Sequence, residues 1–539
     1  MTTVSETEKA AREAPPTRRL RRWSPTRHTF GVLGVMIMIV LVNLTLMIQS
    51  WRRLAYRSFD SVIFDQAVRA YSRFEAPRVP LRGVYGGRGT DFLQLGDHFS
   101  PIHALLAPLY WIWDDVRVLF IAQAVMYAIA AAIIWRFTRR MLGVGMAYVV
   151  AIAFGISWGV QSAMEAGYHE LDCAVPLLAL IIERLYAERH RAALVATALL
   201  LLVKEEMGLV VAVVGLLFVI RGYRRWGAAV SFVGLVWFVL AVKVFVPAFG
   251  GNSQQYWSYR SLGPDPVSAA KFALSHPWKL LEIAASTDLK QQLLLWLLAV
   301  AIGAQLLSPI ALLALPSLTL RLLSDTASYG NVKWQYNAPL MVILLMAGVD
   351  GIRRMAGWLS RWPEPDTSTS TSTSTSTNTT DTTSTGDTPV VRDEPANGPP
   401  ARGWFPRLLV WAWAAGVLAV ATYACTTPQF AYSRLSDRGA WQQSAYHRAA
   451  FDAAEQVPLG ATVEADDVLG VLVSKRTQHL VLVDLKPHGS QYVLLGPPSD
   501  ILWPYQDREQ FLRTKQDYLD HGYEEIWQRD GVWLLRRRD

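Results

Sequence analysis

The chain has 539 residues, of which 52% are hydrophobic and 18% are charged, and its formal net charge is +8. This composition, with several apolar runs near the length that crosses a bilayer, is typical of a multi-pass membrane protein. The basic residues lie in short clusters at the ends of the apolar runs, where they act as orientation signals, so no nucleic-acid partner is expected. Only two cysteines are present, Cys173 and Cys425, which argues against a disulfide framework, a thiolate metal site and a catalytic cysteine.

The apolar runs predict about eleven membrane-spanning helices, which makes the fold class mainly α. Residues 1–28 are polar and basic and are expected to form a cytoplasmic N-terminus. The first apolar run, residues 29–49, is followed by no small-residue cleavage site, so it is predicted to be an uncleaved helix. Further spans are predicted at residues 116–136, 142–160, 172–188, 191–203, 207–220, 227–247, 291–306, 308–323, 338–351 and 404–424.

Basic clusters predict how these spans are oriented. All six clusters fall on one side of the membrane under this span count, and the positive-inside rule makes that side cytoplasmic. The clusters run from Arg18 to Arg22, Arg136 to Arg140, Arg184 to Arg191, Arg221 to Arg225, Arg353 to Arg361 and Arg402 to Arg407. We therefore expect a cytoplasmic N-terminus, a transmembrane domain at residues 29–351 and a C-terminal region outside the cytoplasm.

Two of the runs, residues 191–203 and 207–220, are short for spans and are separated only by Lys204-Glu205-Glu206. Both outer flanks are basic, so the pair is predicted to enter and leave from the cytoplasm. Its charged tip then either points into a cavity that opens outward, or it ends an ordinary helical hairpin and contacts nothing. The sequence leaves both alternatives open.

Beyond residue 351 the composition changes twice. From residue 366 to residue 400 the chain alternates Thr and Ser and then adds Asp, Gly and Pro, which predicts a disordered cytoplasmic linker at residues 352–403. After the last span, residues 404–424, the segment 425–539 is expected to form a small extracytoplasmic α/β domain. Its strands are predicted at residues 461–469, 479–485, 491–495 and 532–535, the last after an Arg-Asp-Gly turn, and its helices at residues 445–455 and 508–519. The domain has no glycine-rich phosphate loop and no nucleophile elbow, so we expect it to support the site, bind an acceptor or dock a partner.

The long first outer loop, residues 50–115, carries ionisable residues beside the membrane. Apolar residues at helical spacing from Ile63 to Phe74 predict an amphipathic helix that could lie on the membrane surface. Asp60 stands at its start, so it is either a helix N-cap or a functional acid. A helix start at Ser100-Pro101 follows Asp97 and His98. These two residues either stabilise the positive N-terminal end of that helix or belong to a functional site.

The next outward loop carries Tyr168-His169-Glu170-Leu171-Asp172 directly before a span. Ionisable residues are costly near lipid and generally mark a functional site. The three-residue spacing of His169 and Asp172 suits either a metal ion or a charge network. If a divalent cation is bound, Mg²⁺ or Mn²⁺ is expected, with Asp97, His98 and His169 as its candidate ligands.

Several of these motifs together resemble a family of bacterial and archaeal multi-pass membrane proteins with a domain of unknown function. Its most specific element is the string from Gly96 to Pro101, Gly-Asp-His-Phe-Ser-Pro. The other elements are Phe59-Asp60-x4-Asp65-Gln66, Pro108-Leu109-Tyr110, His169-Glu170 and Lys204-Glu205-Glu206, and the match is looser around Lys333-Trp334-Gln335-Tyr336. The resemblance covers roughly residues 30–350, and the family is itself similar to the C-type (GT-C) membrane glycosyltransferases.

That wider similarity implies a sugar donor carried on a polyprenyl phosphate, an outward-facing active site and a carboxylate base in the first outer loop. Asp60 occupies the corresponding place, and Asp65 is the second candidate for the base. The chemistry is consistent, because a carboxylate within hydrogen-bond reach can take the proton of an acceptor hydroxyl as the glycosyl bond breaks, and one direct displacement inverts the sugar carbon. Four further residues are expected to orient the sugar or hold a cation against the leaving phosphate: Asp97, His98, His169 and Glu170.

A lipid phosphate also needs positive charge near the outer interface. Arg260, Arg321 and Lys333 lie in or beside outward loops and are candidates, although Arg321 could instead snorkel to the headgroups. Lys204, Glu205 and Tyr336 complete the predicted substrate-binding set. Aromatic residues nearby either stack on a sugar or belong to the interfacial belt: Tyr256, Trp257 and Tyr259.

The expected function is therefore a membrane glycosyltransferase acting on an envelope glycan, lipid or protein acceptor. Two other classes stay open, a transporter or permease and a non-catalytic envelope scaffold. Against a carrier, no inverted repeat is evident, and the ionisable residues gather at the outer ends of the spans instead of at the bilayer midplane.

Overall fold

The computed structural model describes residues 26–252, 257–360, 404–483, 488–497, 503 and 505–538. Almost all of the predicted N-terminal region 1–28 lies outside the described residues, and so does Tyr256. The predicted linker 352–403 starts too early, because residues 352–359 continue the helix Asn337–Leu359, and residues 361–403 lie outside the described residues. The structure is mainly helical and ends in a small sheet, as expected.

The helical part of the chain runs to residue 435. Its α-helices are α1 (Arg27–Arg52), α2 (Ser58–Ser72), α3 (Pro80–Tyr85), α4 (Ala107–Ile112), α5 (Arg117–Leu142), α6 (Val144–Gly155), α7 (Trp158–Ala166), α8 (Leu171–Tyr186), α9 (His190–Leu200), α10 (Met207–Ile220), α11 (Arg224–Leu240), α12 (Val246–Ala248), α13 (Pro266–Ser275), α14 (Pro277–Ala284), α15 (Asp288–Ala299), α16 (Leu315–Leu322), α17 (Asn337–Leu359) and α18 (Trp404–Thr426). A π-helical turn, Ala241–Phe245, joins α11 to α12, and short 3₁₀ helices lie at Gln94–Gly96, Pro101–Leu106, Ala304–Leu307, Pro309–Ala314, Ala327–Gly330 and Ala431–Leu435.

Helix α17 is the centre of the helical part. Every residue from 337 to 352 is buried, because α17 packs against α5, α7, α8 and α18. A helix that is apolar on all sides is stable only when it is surrounded, and α17 meets that condition. In contrast, α1 and α11 expose large apolar side chains, as helices that face lipid do.

Within the described residues, five helical segments are long and apolar enough to cross a membrane: Arg27–Arg52, Arg117–Leu142, Val144–Ala166, Arg224–Ala248 and Trp404–Thr426. Shorter apolar helices occur at Pro101–Ile112, His190–Leu200, Met207–Ile220 and Pro309–Leu322. Several membrane-spanning helices are therefore present, but the predicted number of about eleven is not confirmed.

The helix predicted to lie on the membrane surface is instead an internal element. Helix α2 begins at Ser58, earlier than predicted, and most of its residues are buried, including Asp65 and Arg69. It is covered on one side by the short helix α20 (Gly470–Val473) of the C-terminal part. The helical spacing of the apolar residues correctly predicts a helix. Its polar residues Asp65 and Arg69, however, form a buried ion pair instead of facing water.

The C-terminal part contains a five-stranded sheet of order β2-β1-β3-β5-β4. Its strands are β1 (Ala461–Ala465), β2 (Thr477–Leu482), β3 (Tyr492–Leu495), β4 (Tyr523–Arg529) and β5 (Val532–Arg537), and its longer helices are α19 (Ala445–Gln456) and α21 (Arg508–Asp520). Strand β1 pairs in parallel with β2 and β3, whereas β5 is antiparallel to β3 and β4. The predicted final turn is present, since Asp530 and Gly531 have φ angles of 48° and 82°, the left-handed values of a type I′ hairpin.

Two glycines of α17 allow a test of how closely its neighbour packs. A Cβ atom on Gly351 would lie 1.8 Å from the backbone oxygen of Ala304, whereas a Cβ on Gly357 would meet nothing within 4 Å. We expect Gly351→Ala to lower the free energy of unfolding by about 1–3 kcal/mol through overpacking. Gly357→Ala should leave it unchanged or raise it by up to about 1 kcal/mol, the helix preference of alanine over glycine. Thermal unfolding of the two purified variants in detergent measures the difference, and equal melting temperatures would contradict this packing.

Candidate active site

Asp60 lies in the first turn of α2 and faces His169. The helix begins after Arg57, so Asp60 is its third residue and is not the N-cap. Its carboxylate is 41% exposed, and its Oδ1 lies 3.8 Å from Nε2 of His169, an ion-pair distance beyond direct hydrogen-bond reach. The interpretation of Asp60 as a helix cap is therefore wrong, and its carboxylate is accessible.

His169 is held in one orientation by its own loop. Its Nδ1 lies 3.0 Å from the carbonyl oxygen of Gly167, which can only accept, so Nδ1 carries a proton and Nε2 faces Asp60. The backbone N–H of His169 donates to Asp172 at 2.8 Å. Gly167 adopts a φ of 87°, and a Cβ there would approach Ser61, so the turn that presents His169 favours glycine. Burial alone would lower the pKa of His169, but Asp60 raises it above its ordinary value.

Lys204 and Glu170 form a second pair next to His169. Nζ of Lys204 lies 2.8 Å from Oε1 of Glu170, and both side chains are almost completely buried. Although burial disfavours a charged carboxylate, the ammonium of Lys204 holds the pKa of Glu170 well below its usual range. The pKa of Lys204 is in turn raised, because the neighbouring carboxylates outweigh the effect of burial.

Glu205 ties the same tip to the first loop. Its Oε1 lies 2.8 Å from Nδ1 of His98, and its Oε2 accepts the backbone N–H of Phe99 at 3.1 Å. Burial and Lys204 both lower the pKa of His98, but Glu205 raises it above the ordinary value. The tip between α9 and α10 therefore contacts two loops, and the alternative in which it touches nothing is wrong.

A cavity of about 160 Å³ opens beside these pairs. Six of the predicted substrate-binding residues line it: Asp97, His98, Lys204, Glu205, Arg321 and Tyr336. The prediction missed Arg82, which donates from Nε to Asp97 at 2.9 Å, and the cavity residues Glu206, Tyr329 and Phe238. Asp60, His169 and Glu170 are not among the lining residues, but Glu170 forms an ion pair with the lining residue Lys204. Burial raises the pKa of the lining residue Tyr336, and Asp60 is close enough to act in the same direction.

Arg321 contributes a buried positive charge to the cavity. Its guanidinium donates to the carbonyl oxygens of Tyr329 and Asn331 and to Oδ1 of Asn337, at 2.9, 3.1 and 2.9 Å. It also lies over the ring of Tyr336, 5.4 Å from the centroid. All three acceptors are neutral, and in the described part of the chain Arg321 forms no ion pair with a carboxylate. Snorkelling is thus excluded, because the side chain turns into the protein.

Glu206 is the second charged cavity residue that lacks a direct ion pair in the described part of the chain. No hydrogen bond or ion pair of its carboxylate occurs among the described residues, although it faces the same space as Arg321. Burial raises the pKa of Glu206, and the carboxylates of Glu205 and Glu170 act in the same direction while Lys204 opposes them. No sequence motif distinguished Glu206 from its neighbour Glu205.

Asp65 is closed off from any substrate. It is fully buried and accepts two hydrogen bonds from Arg69, at 2.5 and 2.9 Å, and one from the hydroxyl of Tyr110 at 2.7 Å. Arg69 also donates to Asp114 at 2.6 Å. Because every side of this carboxylate is occupied, the geometry removes Asp65 as a candidate base and makes it part of the structural framework.

Two predicted phosphate ligands and the predicted metal site are not assembled. Arg260 and Lys333 are exposed and do not line the cavity. Asp97, His98 and His169 each bind a different partner, respectively Arg82, Glu205 and Asp60. Across the described ranges, no group of three or more His, Cys, Asp or Glu side chains is arranged to hold a metal ion. The predicted Mg²⁺ or Mn²⁺ ligand set is therefore wrong for this arrangement.

Comparison with known sequences decides the family. Residues 51–375 match the sequence profile of the family described as "Predicted membrane protein (DUF2079)". The chain belongs to this family. The resemblance predicted from the Gly-Asp-His-Phe-Ser-Pro string is thereby confirmed, and the matched segment of this DUF2079 protein contains Asp60, His169, Lys204 and Arg321.

Among solved structures, the DUF2079 protein is similar to the archaeal oligosaccharyltransferase AglB from Archaeoglobus fulgidus, in complex with an inhibitory peptide and a dolichol-phosphate. The TM-score is 0.39 and the sequence identity 12%, over 84% of this chain and 65% of AglB. The DUF2079 protein thus spans less than two thirds of the length of that relative. No curated protein matches its sequence.

The different surroundings of Asp60 and Asp65 in the DUF2079 protein predict different effects of the same substitution. Asp65→Asn removes the buried charge that compensates Arg69, so we expect a loss of about 3 kcal/mol in the free energy of unfolding. Asp60→Asn alters an exposed carboxylate and should change it by less than about 0.5 kcal/mol. Melting temperatures of both variants in detergent give the comparison. Equal destabilisation by the two substitutions would contradict the assignment of Asp65 to the framework and Asp60 to the site.

Proposed function

We propose that this protein is a membrane glycosyltransferase that moves a sugar from a polyprenyl-phosphate donor to an acceptor hydroxyl. The observation that carries the proposal is an accessible carboxylate, Asp60, that acts electrostatically on the cavity residue Tyr336. The same cavity holds a buried arginine, Arg321, that forms no direct ion pair with a carboxylate in the described part of the chain. One group can accept a proton and the other can bind a phosphate, which are the two tasks of this reaction.

In this reaction Asp60 acts as the base. The oxygen of the acceptor hydroxyl attacks the anomeric carbon, while the bond from that carbon to the donor phosphate breaks. The electron pair of the broken bond leaves with the polyprenyl phosphate, and the hydroxyl proton goes to the carboxylate of Asp60. A single displacement of this kind inverts the sugar carbon. The hydrogen bond to Gly167 fixes the ring of His169, and His169 in turn orients the carboxylate of Asp60.

The donor phosphate is proposed to bind in the cavity against Arg321. A guanidinium has five N–H donors, and the three hydrogen bonds of Arg321 to neutral acceptors leave part of that capacity unused. A phosphate that reached it would be bound through charge-assisted hydrogen bonds away from bulk water, where they are strongest. Lys204 and His98 add positive charge along the cavity wall. Phe238, Val242 and Val246 supply an apolar wall that suits the first units of a lipid chain.

The same proposal includes the orientation and division of the chain. The site faces the outer side of the membrane, the N-terminus is cytoplasmic, and the C-terminal part after residue 424 lies outside. The transmembrane domain then corresponds to residues 29–351, and the acceptor is a component of the cell envelope.

The proposed base gives the most direct test. Asp60→Asn should lower turnover by at least about 100-fold, because a positioned base contributes about 10²–10⁴-fold. Turnover is measured as release of undecaprenyl phosphate from radiolabelled undecaprenyl-phosphate hexose, in proteoliposomes supplied with envelope extract as acceptor. Asp91→Asn is the matched control, since Asp91 lies in the same loop with a side chain that is 90% exposed. Normal turnover by Asp60→Asn, with the control also active, would refute the assigned role.

Arg321 and Lys333 provide a second matched pair. Arg321→Gln should weaken binding of undecaprenyl phosphate about 10- to 100-fold, the range expected for the loss of charge-assisted hydrogen bonds. Lys333→Gln should leave the affinity unchanged, because Lys333 is exposed and does not line the cavity. Native mass spectrometry of the folded variants with added lipid reports both affinities. If the two substitutions weakened binding equally, the cavity would not be the phosphate site.

A further inference from the structure

The first turn of α2 is capped from the far end of the sequence. The N-cap residue of α2, Arg57, supplies no side-chain hydrogen bond to the helix. Instead, Asp467 accepts the backbone N–H of Ser58 on its carbonyl oxygen at 2.7 Å and that of Phe59 on Oδ1 at 2.8 Å. Its Oδ2 lies 3.4 Å from Nη1 of Arg57. One residue therefore satisfies two of the N–H groups that a helix start leaves unpaired.

Asp467 is itself held rigidly. It follows β1 through Asp466, whose carboxylate accepts the backbone N–H of Gly496 at 2.6 Å and the hydroxyl of Tyr505 at 2.7 Å. The loop between β1 and α20 is thus fixed to the sheet. Because this loop is fixed, its hydrogen bonds can hold the first turn of α2 in place. A mobile loop would move together with the helix and could not do so.

Two further contacts seat the C-terminal part on α2. Gly470, the first residue of α20, approaches so closely that a Cβ there would lie 2.6 Å from Oγ of Ser58. At the other side, Nε2 of Gln66 donates to the carbonyl oxygen of Leu480 in β2 at 2.9 Å. The interface therefore holds α2 at its first turn and again two turns later.

Asp60 directly follows the two residues that Asp467 caps. Its carboxylate stands 3.8 Å from His169, so unwinding of the first turn would change that distance by an amount comparable to the separation itself. Helix ends fray first when their N–H groups lack partners. The position of Asp60 thus depends on a contact made by a residue some 400 positions later in the chain.

We propose that Asp467 is a positioning residue, through which the C-terminal part holds the first turn of α2 and keeps Asp60 directed at His169. The inference rests on the proposed function of Asp60. It assigns the C-terminal part a role in the reaction although the proposed reaction uses no group from that part. The competing explanation is that the contact only joins two parts of the fold.

Hydrogen–deuterium exchange and turnover separate the two explanations. Asp467→Ala removes the side-chain acceptor of Phe59 but keeps the carbonyl oxygen that accepts Ser58. In this variant we expect the amides of residues 59–61 to exchange at least 10-fold faster, and kcat to fall at least 10-fold. The KM for undecaprenyl-phosphate hexose should stay the same, because the donor is proposed to bind in the cavity lined by Arg321. Asp467→Asn should recover most of the activity, since an asparagine oxygen caps a helix as well as an aspartate oxygen does.

Asp452→Ala is the control for loss of an acidic residue in the C-terminal part. Asp452 lies on α19, is exposed and forms an ion pair with Arg529, away from α2. This variant should match the unaltered protein in exchange and in kcat. If Asp467→Ala is not recovered folded, Gly470→Ala tests the same interface, because its added methyl group displaces Ser58 while leaving Asp467 in place.

The outcomes distinguish the inference from the function on which it depends. Faster exchange at residues 59–61 with an unchanged kcat would overturn the positioning role. If Asp60→Asn were inactive in the same assays, the proposed function would still stand. Unchanged exchange would overturn the cap itself. An active Asp60→Asn protein would remove the proposed function and the inference with it. Faster exchange, lower kcat and recovery by Asp467→Asn together support the inference.

Discussion

The ion pairs of Lys204 and Glu205 are the constraint on which the rest of the site depends. A charge inside a membrane protein is stable only when it is paired, and these two neighbouring residues pair in different directions, with Glu170 and with His98. The two pairs start from adjacent residues between the short helices α9 and α10, so the first loop and the loop before α8 are joined through one tip. Removing one member of either pair would leave the other charge buried without its partner. The arrangement of Asp60 and His169 beside this tip follows from it.

Structural charges and functional charges differ in their partners: a structural charge is fully paired with other side chains of the protein. Asp65, for example, is surrounded by Arg69 and Tyr110, and nothing remains for a substrate to bind. Arg321 and Glu206 differ, because neither forms a direct ion pair in the described part of the chain, although both line the cavity and act on each other electrostatically. A charge shielded from water without a direct partner is costly, and that cost is the reason for proposing a ligand in this cavity.

Much of the site could be predicted because its motifs are local in sequence. The Gly-Asp-His-Phe-Ser-Pro string identified the family, and the tip residues Lys204 and Glu205 stood out as charges between two apolar runs. What could not be predicted depends on partners distant in sequence. Nothing local shows that Tyr110 closes off Asp65 or that Asp467 caps α2. Hydropathy likewise cannot separate a lipid-facing helix from a central one such as α17. It therefore predicts that membrane-spanning helices exist but does not fix their number.

The central proposal about the chemistry is that the cavity binds the phosphate of a lipid-linked sugar within reach of Asp60. The measurement that tests it most directly is a cryo-EM structure of the protein in nanodiscs with undecaprenyl phosphate. We predict phosphate density within about 3 Å of the guanidinium of Arg321, with the lipid chain leaving along Phe238 and Val242. Density for the phosphate elsewhere on the protein, with the Arg321 cavity empty at saturating lipid, would contradict it.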